Sequence, residues 1–221
     1  NDAASYAAPY QLGKAMWGGA VGHVLASEDE RFPVGAAVRH GRGWRTHAAV
    51  RPAELELVDE TAAPLTAYLG VLGMPGLTAW VGLYDIAEVR PGETVWVSAA
   101  SGAVGSLVGQ LARLSGCRVI GTAGGPEKAK ALVDELGFHA GIDYRAGNLE
   151  GALRAAAPDG IDVYFDNVGG EHLEAAIGAL KVHGRAVICG MISVYNASTP
   201  PAAPTPCVRA PGSVPPAVLS S

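Results

Sequence analysis

Cysteine is scarce in this chain, and the three present, Cys117, Cys189 and Cys207, are odd in number and widely spaced. That pattern argues against a disulfide framework or a CxxC metal site and favours a reducing, cytoplasmic setting. Long apolar runs are missing too, since none approaches the roughly 18 residues a membrane span needs. Basic residues are outnumbered: 16 Lys and Arg stand against 21 Asp and Glu, a net charge of -5. Such a balance supplies no positive field to hold nucleic acid or an anionic membrane. The six histidines are scattered without an HExxH spacing, so no metal is expected. Also missing are the GxSxG elbow, the GK[ST] phosphate loop and the Tyr-x-x-x-Lys pair, which removes support for acyl transfer, phosphoryl transfer and short-chain reductase chemistry. No basic segment followed by an apolar one stands behind Asn1, so no secretion signal is expected, and the chain reads as beginning mid-protein.

What the chain has in plenty is glycine, 30 of 221 residues, about twice the roughly 7% average. Much of it ends apolar runs, the punctuation of alternating strands and helices. Residues 1–63 read as a β-rich piece, with short runs such as Ala20-Val21-Gly22-His23-Val24-Leu25 between Gly and Pro. A helical connector is expected from Pro64 to about Tyr84, broken at Met74-Pro75-Gly76. From Arg90 the text becomes regular. Strands are predicted at Thr94–Ser98, Cys117–Thr122, Ile142–Tyr144, Ile161–Phe165 and Arg185–Cys189, and helices at Val104–Leu114, Pro126–Leu136, Asn148–Ala156 and Glu171–Lys181. Five strands alternating with helices imply an α/β fold with a parallel, doubly wound, Rossmann-type sheet over residues 64–197. Seven of the 15 prolines fall between Pro200 and Pro216, so 198–221 is expected to be a disordered tail.

The first strand of that series runs into Ala100-Ser101-Gly102-Ala103-Val104-Gly105, a dinucleotide fingerprint with Ala at the first glycine position. Gly102 would let the backbone approach a pyrophosphate, Gly105 would let the helix pack close to the strand, and Ala103 and Val104 open the helix facing the anion. An NAD site places Asp or Glu after the second strand; here Thr122-Ala123-Gly124-Gly125 and then Lys128 stand instead, which suits a 2′-phosphate and hence NADP(H). The bland alternative is a solvated first-turn lysine. Asn167, after the fourth strand, is a cofactor contact or a turn Asn. Cys189-Gly190-Met191-Ile192, after the fifth, could border the nicotinamide.

Four segments carry a resemblance: Met74-Pro75-Gly76-Leu77-Thr78-Ala79, Ala99 to Gln110, Phe165 to Gly170, and Cys189 to Asn196. They resemble the prostaglandin reductase (leukotriene B4 dehydrogenase) and alkenal/curcumin double-bond reductase family, zinc-independent members of the medium-chain dehydrogenase/reductase superfamily. The resemblance implies a partial GroES-like domain over 1–63, NADPH as cofactor, and hydride transfer to the C=C bond of an α,β-unsaturated ketone or aldehyde. It implies that Lys128 and Tyr144 contact the adenosine 2′-phosphate and that Asn167, Cys189 and Gly190 lie near the cofactor. Met74, Thr78, Gly124 and Ile192 join those contacts. Tyr195 would face the substrate carbonyl, with Tyr6 a second catalytic candidate, and a homodimer is compatible with the resemblance. Where zinc-dependent relatives place a ligand histidine, alignment on Gly22 puts Gly18. Against that family the chain reads as shortened at both ends. Quinone reduction and NADPH binding without catalysis are the rival readings; a methyltransferase-like binder would need an acidic residue after the second strand.

Overall fold

The computed structural model describes residues 10–193 and 195; Tyr6 and the Pro-rich stretch lie outside them. The chain forms two compact units that part between Leu77 and Thr78. In the first, β1 (Ala20–His23), β2 (Ala37–His40) and β3 (Glu56–Leu57) make a three-stranded antiparallel sheet in the order β1-β2-β3. Phe32, Ala37 and Val38 are its buried apolar residues, and Tyr10, Trp17 and Trp44 are exposed.

The connector differs from expectation. A short 3-10 turn, Leu65–Leu69, ends before Gly70, and α1 (Met74–Trp80) begins where the break was predicted. Proline has no N–H to donate, but a first-turn N–H has no helical partner anyway, so Pro75 opens this helix instead of breaking it. Gly76 is needed there because a Cβ would stand 1.8 Å from the Val71 carbonyl oxygen. A π-helical turn, Val81–Ile86, continues α1.

The second unit holds β4 (Thr94–Val97), β5 (Arg118–Ala123), β6 (Ala140–Asp143), β7 (Ile161–Asp166) and β8 (Leu180–Ile188). They pair in the order β6-β5-β4-β7-β8, every pair parallel. Between them run α2 (Ala103–Leu114), α3 (Pro126–Asp134), α4 (Leu149–Ala156) and α5 (Glu171–Ala179). Strand side chains alternate between faces. Val95, Val97, Val163 and Phe165 therefore join one buried cluster with Val108, Ala112 and Leu132, while Trp96, Ile120 and Tyr164 join another with Leu153, Ala175 and Ala176. Two dry faces covered by helices make the sheet doubly wound, as the alternating pattern required.

Two boundaries depart from the sequence reading. The helix expected to reach Lys181 stops at Ala179, because Leu180 turns extended and pairs with Ile161; a register shift follows before Arg185 meets Val163. Tyr144 leaves the strand for a 3-10 turn. At the opposite edge of the sheet from the helix N-termini, Arg185 donates to both Glu93 carboxylate oxygens at 2.8 and 2.7 Å and to the Ala87 carbonyl at 2.7 Å. Among the described residues no helix is long and apolar enough to cross a membrane.

Candidate dinucleotide site

The strand order reverses direction between β4, which is followed outward by β5 and β6, and β7, followed by β8. Ligands of open α/β sheets bind outside the carboxyl ends of the strands at such a switch point. The turns that close the crevice here are 98–102, after β4, and 166–170, after β7.

After β4 the chain bends sharply, with Ala99 at φ 46, and Gly102 becomes the N-cap of α2 with no side-chain cap. Gly105 has the close approach expected of it: a Cβ there would stand 2.4 Å from the Ala99 carbonyl oxygen and 2.9 Å from the Ala100 Cα. Gly102 is exposed, and the nearest atom to a Cβ built on it is the Ala99 oxygen at 3.2 Å. Ala103 and Val104 form the first turn of α2. The alanine in the first fingerprint position is accommodated from the next strand. Ala100 is fully buried, and a Cβ on Gly121 would meet its methyl at 2.7 Å. Sequence reading assigned Gly121 no role.

After β5, Gly124 and Gly125 lead into α3, whose first turn carries exposed Lys128. Asp143 ties this turn to the end of β6: its Oδ1 accepts the Gly125 N–H at 2.8 Å and the Arg145 N–H at 3.0 Å. Tyr144 and Arg145 then lie against Gly124, where a Cβ would meet Arg145 Nε at 3.1 Å and Tyr144 Oη at 3.2 Å. Lys128 and Tyr144 thus share the β5–β6 end of the rim, and Arg145, unpredicted from sequence, joins them. Among the described residues neither Lys128 nor Arg145 makes an ion pair. A cation in a helix's first turn opposes the helix dipole, a small cost that a bound anion would reverse.

After β7, Asn167 donates its side-chain N–H to the Ser98 carbonyl and its backbone N–H to Ser98 Oγ, both at 2.8 Å. One N–H of the carboxamide is thereby committed, leaving Oδ1 and the second N–H for a ligand. Asp166, fully buried, gathers donors on Oδ1: Tyr164 Oη at 2.6 Å, the Gly169 N–H at 2.7 Å and the Val168 N–H at 2.9 Å. Burial, reinforced by the neighbouring Asp166, pushes the Tyr164 phenol far above its usual range, so it remains a donor. His172 is also buried, in edge contact with Tyr144 at 5.2 Å, and burial holds its imidazole below its usual range.

The segment after β8 rests on that turn. Cys189 and Gly190 donate their N–H groups to the Asp166 carbonyl at 2.9 and 3.0 Å, and Ser193 donates to the Val168 carbonyl at 3.1 Å. Burial pushes the Cys189 thiol upward, away from the reactive thiolate. Ile192 is exposed. Tyr195 folds back so that its Oη accepts the Met191 N–H at 3.3 Å and lies 3.2 Å from where a Gly190 Cβ would be. Asn167, Cys189, Gly190, Ile192 and Tyr195 are therefore brought together. Met74 and Thr78 lie one turn apart on α1, on either side of the division between the two units. Tyr6 lies outside the described residues. No three His, Cys, Asp or Glu side chains converge as a metal site among them.

Residues 1–58 match the family model "N-terminal domain of oxidoreductase", and 103–209 match "Zinc-binding dehydrogenase". The chain is similar to prostaglandin reductase 1 of Bos taurus, with 50% identity over 192 residues covering 85% of this chain and 58% of that one. It is similar to the NADP(+)-dependent 2-alkenal reductase of Nicotiana tabacum, with 43% identity over 194 residues, 87% and 57% of the two chains. The crystal structure of CurA in complex with NADPH from Vibrio vulnificus superposes with a TM-score of 0.86 at 42% identity, covering 94% of this chain and 61% of that one. The chain thus spans less than two thirds of the length of these relatives.

Proposed function

Since the chain belongs to the medium-chain dehydrogenase/reductase superfamily, we propose that it binds NADPH and serves reduction of the C=C bond of α,β-unsaturated ketones and aldehydes. The observation that carries the cofactor reading is the rim itself. Gly105 admits no side chain, the first-turn N–H groups of α2 have no side-chain cap, and the carboxyl ends of β5 and β6 offer Gly124 and Lys128, and Tyr144 and Arg145, where an NAD site keeps a carboxylate.

The residues present fit the cofactor half by half. Gly102 to Gly105 would face the pyrophosphate, Lys128 and Tyr144, with Arg145, the adenosine 2′-phosphate, and Asn167 with the Cys189–Ile192 segment the nicotinamide half. NADPH held there would supply a hydride to the substrate β-carbon, the C=C pair becoming the new double bond of an enolate as the carbonyl pair moves onto oxygen. Tyr195 is the group proposed to meet that oxygen. Its lone pair accepts the Met191 N–H, so its own proton is left to donate to the developing enolate, and solvent or the same phenol then protonates the α-carbon. The names of prostaglandin reductase 1 and the 2-alkenal reductase support this substrate class. A quinone oxidoreductase from Pseudomonas syringae, 28% identical with a TM-score of 0.60, supports quinone reduction as the second reading. The few, widely spaced cysteines support a cytoplasmic setting for the chain.

Titrating the chain with NADPH and NADH while following cofactor fluorescence, then adding an alkenal or a quinone and following loss of cofactor absorbance, tests the proposal. Tighter binding of NADPH and faster turnover of the alkenal are expected, with Tyr195→Phe slowing turnover about tenfold or more at unchanged cofactor affinity. Binding without oxidation of either substrate restricts the chain to cofactor binding, and absence of NADPH binding overturns the proposal.

A further inference from the structure

The β7–α5 turn contains a carboxylate to which neither the fingerprint nor the hydride-transfer scheme gives a part. Asp166 is fully buried, and one of its oxygens, Oδ1, takes the Tyr164 hydroxyl and two consecutive backbone N–H groups, those of Val168 and Gly169. Two N–H groups turned inward on one oxygen leave the carbonyls of their own peptides, those of Asn167 and Val168, directed the other way, where they accept from Ile192 and Ser193 of the next segment. The Asp166 carbonyl accepts from Cys189 and Gly190, and the Val168 carbonyl from the backbone and side chain of Ser193. Ser98, whose Oγ lies 3.3 Å from the same Asp166 oxygen, accepts the Asn167 N–H on its Oγ and the Asn167 side-chain N–H on its carbonyl. Asn167 and the Cys189–Ser193 segment are therefore tied to this one turn, through Ser98, through the Asp166 main-chain carbonyl, and through the Asn167 and Val168 carbonyls, whose peptide N–H groups the carboxylate holds. The positive φ of Gly169 (72) and Gly170 (53) turns the chain from these N–H groups into α5.

Satisfying a turn does not require a charge at this depth, since burying a carboxylate is costly unless its lone pairs are met. The second oxygen, Oδ2, is buried with no hydrogen-bond partner among the described residues, as is His172 Nε2 on the first turn of α5. A neutral Asn would close the same turn through Oδ1.

On the reading of the site as an NADPH site, we propose that Asp166 is its positioning residue for the nicotinamide half, orienting Asn167 and the Cys189–Ser193 segment toward the cofactor without touching it. The adenosine half has its own hydrogen-bonded tie, through Asp143, and meets α5 at the Tyr144–His172 ring contact rather than at Asp166. The separation yields a test on the full 221-residue chain with two probes, NADPH and adenosine 2′,5′-bisphosphate. Asp166→Ala is expected to weaken NADPH binding tenfold or more and adenosine 2′,5′-bisphosphate less than twofold, and Asp166→Asn to recover most of the NADPH affinity. Ser98→Ala, which removes the acceptor of the Asn167 N–H while leaving Asp166 intact, is expected to show the same selectivity at about threefold, and it decides the matter if Asp166→Ala does not fold. Equal losses for both probes, or NADPH affinity within twofold of the parent chain in the deciding variant, overturn the inference and leave the NADPH reading standing. A parent chain that binds neither probe overturns the NADPH reading, and the inference falls with it.

Discussion

Four helices of the larger unit begin at the same rim of the sheet, yet they begin in two ways. At the outer strand, α4 starts behind Asn148, whose side chain accepts the Gly151 N–H at 3.1 Å. Around the switch point, α2, α3 and α5 start behind Gly102, Gly125 and Gly170, none with a side-chain cap. The backbone problem is identical in all four, because the first four N–H groups of a helix lack internal partners. Where no ligand is expected the protein supplies the acceptor; where the proposed cofactor lies it leaves the donors open and removes the side chains that would cover them. On the proposed reading, that contrast separates a structural helix end from one that faces the cofactor.

The contrast can be broken from either side. Gly102→Asp has the largest expected effect: Gly102 has extended backbone that an N-capping residue favours, so the variant should melt at or slightly above the parent temperature. Its carboxylate would occupy the anion's donors, and NADPH affinity measured by fluorescence should fall about a hundredfold or more. Lys128→Ala should cost NADPH about 10- to 100-fold in affinity and NADH less than about twofold, the loss expected for one charge-assisted contact; an equal effect on both cofactors would return Lys128 to the solvated reading. Asn148→Ala, at the capped helix, should lower stability by about 1 kcal/mol in denaturant unfolding and leave NADPH affinity unchanged.

The smallest expected effect is acidic. Burial holds the His172 pKa below its ordinary 6.5, so the unfolded chain binds that proton first. The stability contributed by neutral His172 is complete above pH 6.5 and is lost as pH falls from there through the depressed folded value. His172→Gln should flatten that part of the pH dependence of the melting temperature.

Much of this was legible along the chain. β4, β5 and β7 were readable because buried parallel strands are short, apolar and β-branched or aromatic, and glycines mark their ends. The fingerprint was readable because the demand on Gly102 and Gly105 is local, made by the turn between one strand and the next helix. The ends of α5 and β8 were not. Leu180 pairs with Ile161, and that tertiary pairing overrides a pattern that would otherwise extend the helix. Met74-Pro75-Gly76 read as a break because proline ends a helix it follows, whereas here it opens one.

The site was legible only in part, and the division has a physical cause. Lys128, Asn167 and Cys189 could be placed because each follows a strand by a short, fixed distance. Asp143, Arg145, Ser98 and Asp166 could not, since their roles arise where separate loops meet: Ser98 and Asn167 stand 69 residues apart and share two hydrogen bonds. By itself the sequence determined the order of strands and helices, the glycine-cleared turn and the missing carboxylate after β5, all consequences of backbone geometry over a few residues. Only the tertiary structure decided which groups hold that rim open. A buried carboxylate can be recognised as an organising centre only when the donors around it, brought from distant strands by the parallel crossovers, are seen in place.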